Sequence, residues 1–182
     1  MSDQYKFNNP DGIFFTTTTV IDWIDVFIRK EYKFIIIDSL THCINNKGLV
    51  IHAWCLMSSH LHMIISRKGE LNLSGIMRDF KKFTSKEIVK TIAEVNESRK
   101  YWLMNRFEYA AKYTKRNKDF KFWQDGNHPE ELISNEFIDQ KLNYIHNNPV
   151  EEMIVSEPED YLFSSARDYA GIKGLIDVDF LD

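Results

Sequence analysis

In the first half of the chain, short runs of β-branched and aromatic residues flank one segment with a helical repeat. The run at 13–21 (IFFTTTTVI) is typical of a strand. From 30 to 48 apolar positions recur at helical spacing and the segment ends in a glycine, which predicts a capped helix. Apolar runs at 49–57 and 60–66, separated by two serines, predict the strands of a hairpin. The helix should bury Phe34, Ile37, Leu40 and Ile44.

The second half is mainly helical in pattern. A long helix is predicted over 72–95, followed by a basic section of helical or irregular structure and a short strand at 120–124. Another helix is predicted over 134–150, begun by Ser134 as N-cap and ended by Pro149. The aromatic C-terminal tail that follows this helix should pack on the domain. The apolar face of the helix over 72–95 is predicted to be Ile76, Phe80, Phe83 and Ile88. That of the helix over 134–150 is predicted to be Phe137, Ile138, Leu142 and Ile145.

Length and composition are those of an ordinary globular protein. The 182 residues are 43% hydrophobic and 27% charged, and we predict one domain over 1–182. No apolar run approaches the roughly 18 residues of a membrane span, and the polar N-terminus lacks a signal-peptide pattern. Cys43 and Cys55 lie in apolar contexts, which predicts reduced core residues. These features predict a cytoplasmic protein without membrane association.

Charge is unevenly distributed, although the formal net charge is only −4. Residues 67–123 contain 15 Lys and Arg against 7 Asp and Glu, a balance of +8, whereas the remainder contains 8 against 20, a balance of −12. A basic middle in an acidic frame is a candidate phosphate-binding surface, and the alternative is a solvated helix face. The candidate nucleic-acid contacts are Arg78, Lys81, Lys82 and Lys86.

Two histidines, His60 and His62, begin the second strand of the predicted hairpin. Side chains at i and i+2 of a strand project from the same face, so both imidazoles should lie on one side, opposite Leu61, Met63 and Ile65. Their Cβ atoms would be roughly 7 Å apart, which allows both rings to reach one metal ion. The alternative is a pair of ordinary polar residues at the start of a strand.

A tyrosine and an asparagine share one face of the last predicted helix. Tyr144 and Asn148 are spaced i, i+4, so they lie one turn apart. Tyr144 can present a phenol beside a metal, and Asn148 can present a carboxamide oxygen as a ligand. Spacing alone is equally consistent with Tyr144 as a half-buried packing residue.

Three stretches together resemble the REP-associated tyrosine transposases, within the single-tyrosine HUH transposases of the IS200-like superfamily. They are IHAWCLMSSHLHMIIS at 51–66, FWQ at 122–124, and LNYIHNNPVEEMIVSEPEDYLFSSARDYAG at 142–171. The resemblance extends over about 12–172, which it implies is the core of the domain. HUH denotes a histidine, a bulky hydrophobic residue and a histidine, here His60-Leu61-His62. The resemblance implies an α+β fold, a ferredoxin-like α/β sandwich in which a central antiparallel sheet carries the histidine strand and helices pack on it.

The resemblance also implies a mechanism. Members cleave single-stranded DNA near hairpins and rejoin it, with His60, His62 and Asn148 as ligands of Mg²⁺ or Mn²⁺ and Tyr144 as the nucleophile that forms a 5′-phosphotyrosine bond. The partner would be hairpin-containing single-stranded DNA, and the protein would be a monomer or a homodimer. Two other hypotheses stay open: a domesticated hairpin-binding protein without catalysis, and a zinc hydrolase built on the histidine pair. The zinc hydrolase would need a carboxylate ligand, and Glu151 and Glu152 lie beyond Pro149.

Overall fold

The structure, a computed structural model, describes residues 7–113 and 119–181. In chain order its strands and helices are β1 (Phe14–Thr19), α1 (Lys30–Lys47), β2 (Leu49–Leu56), β3 (His60–Arg67), α2 (Leu73–Glu94), α3 (Lys100–Lys112), β4 (Glu130–Glu131), α4 (Asn135–Glu151) and α5 (Ala166–Tyr169). Short 3₁₀ turns occupy Ile21–Trp23, Val26–Ile28 and Pro158–Asp160. In the described part of the chain, no helix has the length and apolar character needed to cross a membrane.

The strands form an antiparallel sheet in the order β2-β3-β1-β4. In this order β3 lies between β1 and β2, and β1 lies between β3 and β4, so a strand of each β-α-β unit is inserted into the other. This strand order with alternating helices is the ferredoxin-like topology, so the predicted fold class is confirmed. The predicted hairpin is β2–β3, and it brings the histidine strand to the middle of the sheet.

A β-bulge at His52 sets which residues of β2 face each side of the sheet. Ile51 pairs with Ile65, but Ala53 pairs with Ile64, so His52 is the extra residue. Its Nδ1 donates to the Asp179 carbonyl at 2.7 Å, and its Nε2 accepts from the Ser66 hydroxyl at 2.8 Å. Because of the bulge, Ile51 and Trp54 lie on the same face, although they are three residues apart.

Both faces of the sheet are covered. A large apolar cluster lies between one face and helices α1 and α2, and it includes Leu61, Met63 and Ile65 of β3. A smaller cluster lies on the other face, where Ile64 of β3 packs with Ile145 of α4 and Tyr161 of the tail. The sequence indicated that the histidine face is the one opposite the core. In the structure this face is covered as well, because α4 and the C-terminal tail form a second packed layer over it.

The predicted helices exist, with differences in their buried faces. Gly48 adopts a left-handed φ of 74° as the C-cap of α1, and the Asn72 side chain caps α2 by accepting from the Gly75 amide at 2.7 Å. Phe34 and Phe83, predicted to be buried, are exposed. The helices bury more polar positions instead, Tyr32 and Cys43 in α1 and Thr84 in α2. Cys43 and Cys55 are both free and buried, as predicted.

Two predictions in the second half were wrong in detail. Pro149 lies inside the last turn of α4 rather than ending it, and only two helical residues follow it, so its missing amide and its bulky ring perturb only the end of the helix. The segment 120–124 makes a single bridge, Val20 with Trp123, instead of a strand. The fourth strand is the two-residue β4, which is too short to give a pattern. Part of the predicted basic section, residues 114–118, lies outside the described residues.

Candidate active site

The two histidines lie where β3 pairs with β1. His60 is opposite Thr19 and His62 is opposite Thr17. Both imidazoles project from the face covered by α4, and their ring centroids are 4.6 Å apart at 75°. Both side chains are buried. The i, i+2 spacing on a strand therefore brings the two rings together, as predicted.

Each imidazole has one nitrogen beside a hydroxyl group. His62 Nδ1 lies 2.9 Å from Thr17 Oγ1, and His60 Nδ1 lies 3.1 Å from Ser59 Oγ. The tautomer in which Nδ1 donates to the hydroxyl leaves Nε2 with its lone pair on the other side of the ring. His62 Nε2 is buried and has no hydrogen-bond partner within the ranges that the structure describes. A histidine that binds a metal through one ring nitrogen usually donates the N–H of the other nitrogen to a polar group, and this tautomer would give both imidazoles that arrangement.

Burial keeps both rings neutral. It lowers the pKa of His60 to about 4. It also lowers the pKa of His62 to about 3, with smaller contributions in the same direction from His60 and Lys141. A neutral imidazole is the form that binds a metal, so both side chains are in the ligand-competent state at neutral pH.

Tyr144 lies against this pair. It is on α4, a helix begun by Ser134, whose hydroxyl accepts from the Phe137 amide at 3.3 Å. The Tyr144 ring is 5.2 Å from the His62 ring and 6.0 Å from the Phe15 ring, in edge contacts. The residue is 43% exposed, so Tyr144 is partly packed against these rings and partly open to solvent. The structure thus brings Tyr144, His60 and His62 together.

Asn148 lies one helical turn after Tyr144 and is buried. Its Nδ2 donates to the Tyr144 carbonyl at 2.9 Å. The side-chain nitrogen is therefore committed to the helix backbone, and the carboxamide oxygen is the atom left for another partner. Its convergence with the two imidazoles stays a prediction.

Two neighbours of the site were missed by the sequence reasoning. Phe15 of β1 stacks on His62 with ring centroids 5.6 Å apart. Lys141 Nζ lies 4.2 Å from the Phe15 ring centre and pairs with Glu130 of β4 at 2.9 Å. Lys141 could have been found from its i, i−3 spacing to Tyr144 on α4. Phe15 could not, because its contact depends on the β1–β3 register.

The donor set fits a divalent metal only if a carboxamide takes part. Over 7–113 and 119–181, no group of three or more His, Cys, Asp and Glu residues is placed to hold a metal ion. His60 and His62 provide two nitrogen ligands, and the orphaned Nε2 of His62 is a buried polar atom that a metal would satisfy. A third protein ligand would have to be of another type, such as the Asn148 oxygen.

The predicted nucleic-acid contacts on α2 differ from one another. Lys81 Nζ donates to the carbonyls of Gln124 at 2.8 Å and Gly126 at 2.7 Å, and burial lowers its pKa to about 8. It anchors a loop instead of standing free on the surface. Arg78 is largely exposed and pairs with Asp79 at 3.0 Å. Lys82 and Lys86 are exposed, and Lys82 borders a groove with Arg78.

Comparison with known proteins gives two matches. Residues 24–148, more than half of the chain, match the family model described as "Transposase IS200 like". A solved structure of a REP-associated tyrosine transposase bound to a REP hairpin is similar over 100% of this chain and 94% of that one, with a TM-score of 0.67 and 18% identity. At that identity the likeness shows the fold. No curated protein matches the chain.

Proposed function

The chain belongs to the IS200-like transposase family, which consists of DNA-processing enzymes, and we propose that it is a metal-dependent single-stranded DNA endonuclease and strand transferase. The observation that carries the proposal is the contact between the Tyr144 phenol ring and His62, beside a second neutral imidazole. A nucleophile and two unprotonated nitrogen ligands within one cluster are what phosphodiester cleavage through tyrosine requires.

His60 and His62 would hold Mg²⁺ or Mn²⁺ through Nε2, with the Asn148 carboxamide oxygen as the third protein ligand. When bound, the ion would polarise the scissile phosphate and offset the negative charge that develops on it. Thr17 and Ser59 orient the two rings through Nδ1, so the ligand nitrogens are fixed before the ion arrives. Two imidazoles and one carboxamide make an incomplete shell, which leaves room for phosphate oxygens.

Tyr144 would attack the phosphorus atom in line with the leaving 3′ oxygen. The bond between its phenol oxygen and phosphorus forms while the bond to the 3′ oxygen breaks. The phenol loses its proton to a base or water, and the departing 3′ oxygen takes one up. The product is a 5′-phosphotyrosine bond and a free 3′-OH. Because the phosphodiester energy is retained, a second 3′-OH can reverse the reaction and join a new strand.

Lys141 would support the nucleophile. Its ammonium group lies over Phe15, which itself contacts both the Tyr144 and His62 rings. A cation one turn from the phenol would attract the scissile phosphate toward it. Its pairing with Glu130 holds the side chain at this edge of the sheet.

The substrate we propose is hairpin-containing single-stranded DNA in the cytoplasm, as for a REP-associated tyrosine transposase. Three observations support it: the motif resemblance over 51–66 and 142–171, the fold shared with a hairpin-bound relative, and the balance of +8 over 67–123. Arg78, Lys82 and Lys86 would supply contacts to the DNA backbone, whereas Lys81 would act indirectly by holding the loop at Gln124 and Gly126.

Covalent trapping tests this function. The protein is incubated with a panel of hairpin-bearing single strands and Mn²⁺, and a denaturing gel is scored for a protein–DNA adduct. The wild type and Tyr101→Phe, a change at a largely exposed tyrosine on α3, should form the adduct equally, and Tyr144→Phe should form none. Hairpin binding with no adduct from the wild type would instead support the non-catalytic binder.

A further inference from the structure

A strained turn lies between the histidine site and α3. Asp22 and Trp23 are consecutive non-glycine residues with positive φ values of 52° and 55°. Such conformations are strained for residues with a side chain and persist only where the surroundings enforce them. The turn holds the Trp23 ring 5.3 Å from the His60 ring, in an edge contact, yet Trp23 remains 60% exposed. A large apolar side chain is therefore displayed to solvent at the border of the site.

Helix α3 clamps this turn from both sides. Arg106 pairs with Asp22, and Arg99 Nη1 pairs with Asp25 Oδ1 at 2.7 Å. Arg99 is the N-cap of α3, and the spacing of Arg99, Trp102 and Arg106 places all three on one side of the helix. The ion pairs thus fix the turn against α3, whose Trp102 indole is 50% exposed.

The two indoles line the same open cavity. Its volume is about 370 Å³, and it is lined by Asp22, Trp23, Ile24, Asp25, Trp102 and Arg106. The flat apolar walls come from the tryptophans, whereas the polar edge combines two carboxylates with one guanidinium group. This is an aromatic pocket with both hydrogen-bond acceptors and donors, adjoining the candidate metal ligand His60.

We propose that this pocket binds one unpaired nucleobase of the DNA strand that passes through the histidine site, an inference that rests on the proposed function. Indole rings stack on any base, and Arg106 can donate to ring nitrogens and carbonyls. Asp22 and Asp25 can accept from exocyclic amino groups. Each carboxylate is already paired with an arginine, so the cavity offers a phosphate no excess positive charge, whereas its flat indole walls suit the face of a base. Because Trp23 borders His60, the base belongs to a nucleotide close to the scissile phosphate.

Equilibrium binding without metal tests the pocket separately from cleavage. The probe is a fluorescein-labelled hairpin with single-stranded tails on both sides, titrated with protein in EDTA and followed by anisotropy. Trp102→Ala should weaken binding by about 5- to 150-fold, the range for loss of one base stack. Trp23→Ala should act in the same direction. Tyr101→Ala is the matched control, because Tyr101 is the neighbouring aromatic on α3, is 89% exposed and does not line the cavity.

An abasic scan identifies the bound nucleotide. Each tail position is replaced in turn by an abasic residue, and the affinity ratio of wild type to Trp102→Ala is measured at each. This ratio should fall to about one at the single position whose base occupies the pocket. Thermal melting shows whether the Trp102→Ala variant is folded. The proposal would be overturned if Trp102→Ala and Tyr101→Ala bound the hairpin with the same affinity, whether or not both were weakened. It would also be overturned if the affinity ratio of wild type to Trp102→Ala stayed the same at every abasic position. Loss of the covalent adduct with retained Trp102-dependent binding would refute the proposed function alone.

Discussion

The two faces of strand β3 have opposite characters. Leu61, Met63 and Ile65 project into the large cluster beneath α1 and α2, where the side chains are apolar and fully enclosed. His60 and His62 project to the other side, where each ring has a hydroxyl partner and aromatic neighbours. That second face keeps one buried nitrogen, His62 Nε2, unsatisfied among the described residues. We expect the first face to contribute more to stability, whereas the second contains a desolvated polar atom that the proposed ligand role of His62 would satisfy.

The strongest test of this contrast uses adjacent residues. Leu61→Ala should lower the free energy of unfolding by about 2–5 kcal/mol, because a fully buried leucine leaves a cavity. His62→Ala should lower it by only about 1–2 kcal/mol, because it also removes the orphaned nitrogen. Urea unfolding measures both values. In calorimetry with Mn²⁺, the order should reverse, with binding lost in His62→Ala and kept in Leu61→Ala. The same ranking in both assays would contradict the division between faces.

The threonines of β1 sharpen the comparison. Thr17 holds His62 Nδ1, whereas the Thr16 and Thr18 hydroxyls are buried without a partner within the described ranges. Thr17→Val should weaken Mn²⁺ binding about 10–100-fold, since the ring loses its orienting contact. Thr18→Val is the control with the same change in shape, and it should leave metal binding intact and unfolding neutral or slightly improved. Equal Mn²⁺ affinity in the two variants would remove the orienting role of Thr17.

Much of the fold could be predicted from local pattern, but the relation of the two faces could not. The helix caps at Gly48 and Asn72 and the β2–β3 hairpin depend on residues close in the chain. The bulge at His52 depends on Ser66 and Asp179, which are far along the sequence. For the site, the spacings predicted the grouping of His60 with His62. The contribution of Thr17 and Phe15 required the β1–β3 register.

The bulge itself gives a pH-dependent prediction. Burial, the largest influence, lowers the pKa of His52 below its ordinary value of about 6.5. Between that value and the lower folded pKa, the unfolded chain binds one more proton, so stability decreases as the pH falls. His52→Gln should flatten this dependence by at most about 1.4 kcal/mol per pH unit, measured by urea unfolding from pH 7.5 to 5.5 with a chelator present. Parallel profiles for the two proteins would show that His52 does not contribute.

The smallest effect is expected on the side of α2 that faces solvent and not the sheet. Lys82→Glu should weaken single-strand binding a few-fold and reduce the salt slope by about 1, because an exposed phosphate contact is lost. Lys81→Glu should instead lower thermal stability, since Lys81 anchors the Gln124 and Gly126 carbonyls. Binding over a salt series and thermal melting separate the two. A stable Lys81→Glu protein with a larger salt effect than Lys82→Glu would reverse the assignment.

Identification of the covalently modified residue is the most direct test of the proposed chemistry. The wild-type adduct with a hairpin strand is digested with a protease that cuts after glutamate, and mass spectrometry locates the nucleotide. Cleavage after Glu136 and Glu151 releases residues 137–151, a peptide in which Tyr144 is the only tyrosine. The mechanism predicts a nucleotide joined to Tyr144 through its 5′ phosphate. A nucleotide on any other residue, or no adduct with any hairpin strand in the presence of Mn²⁺, would contradict it.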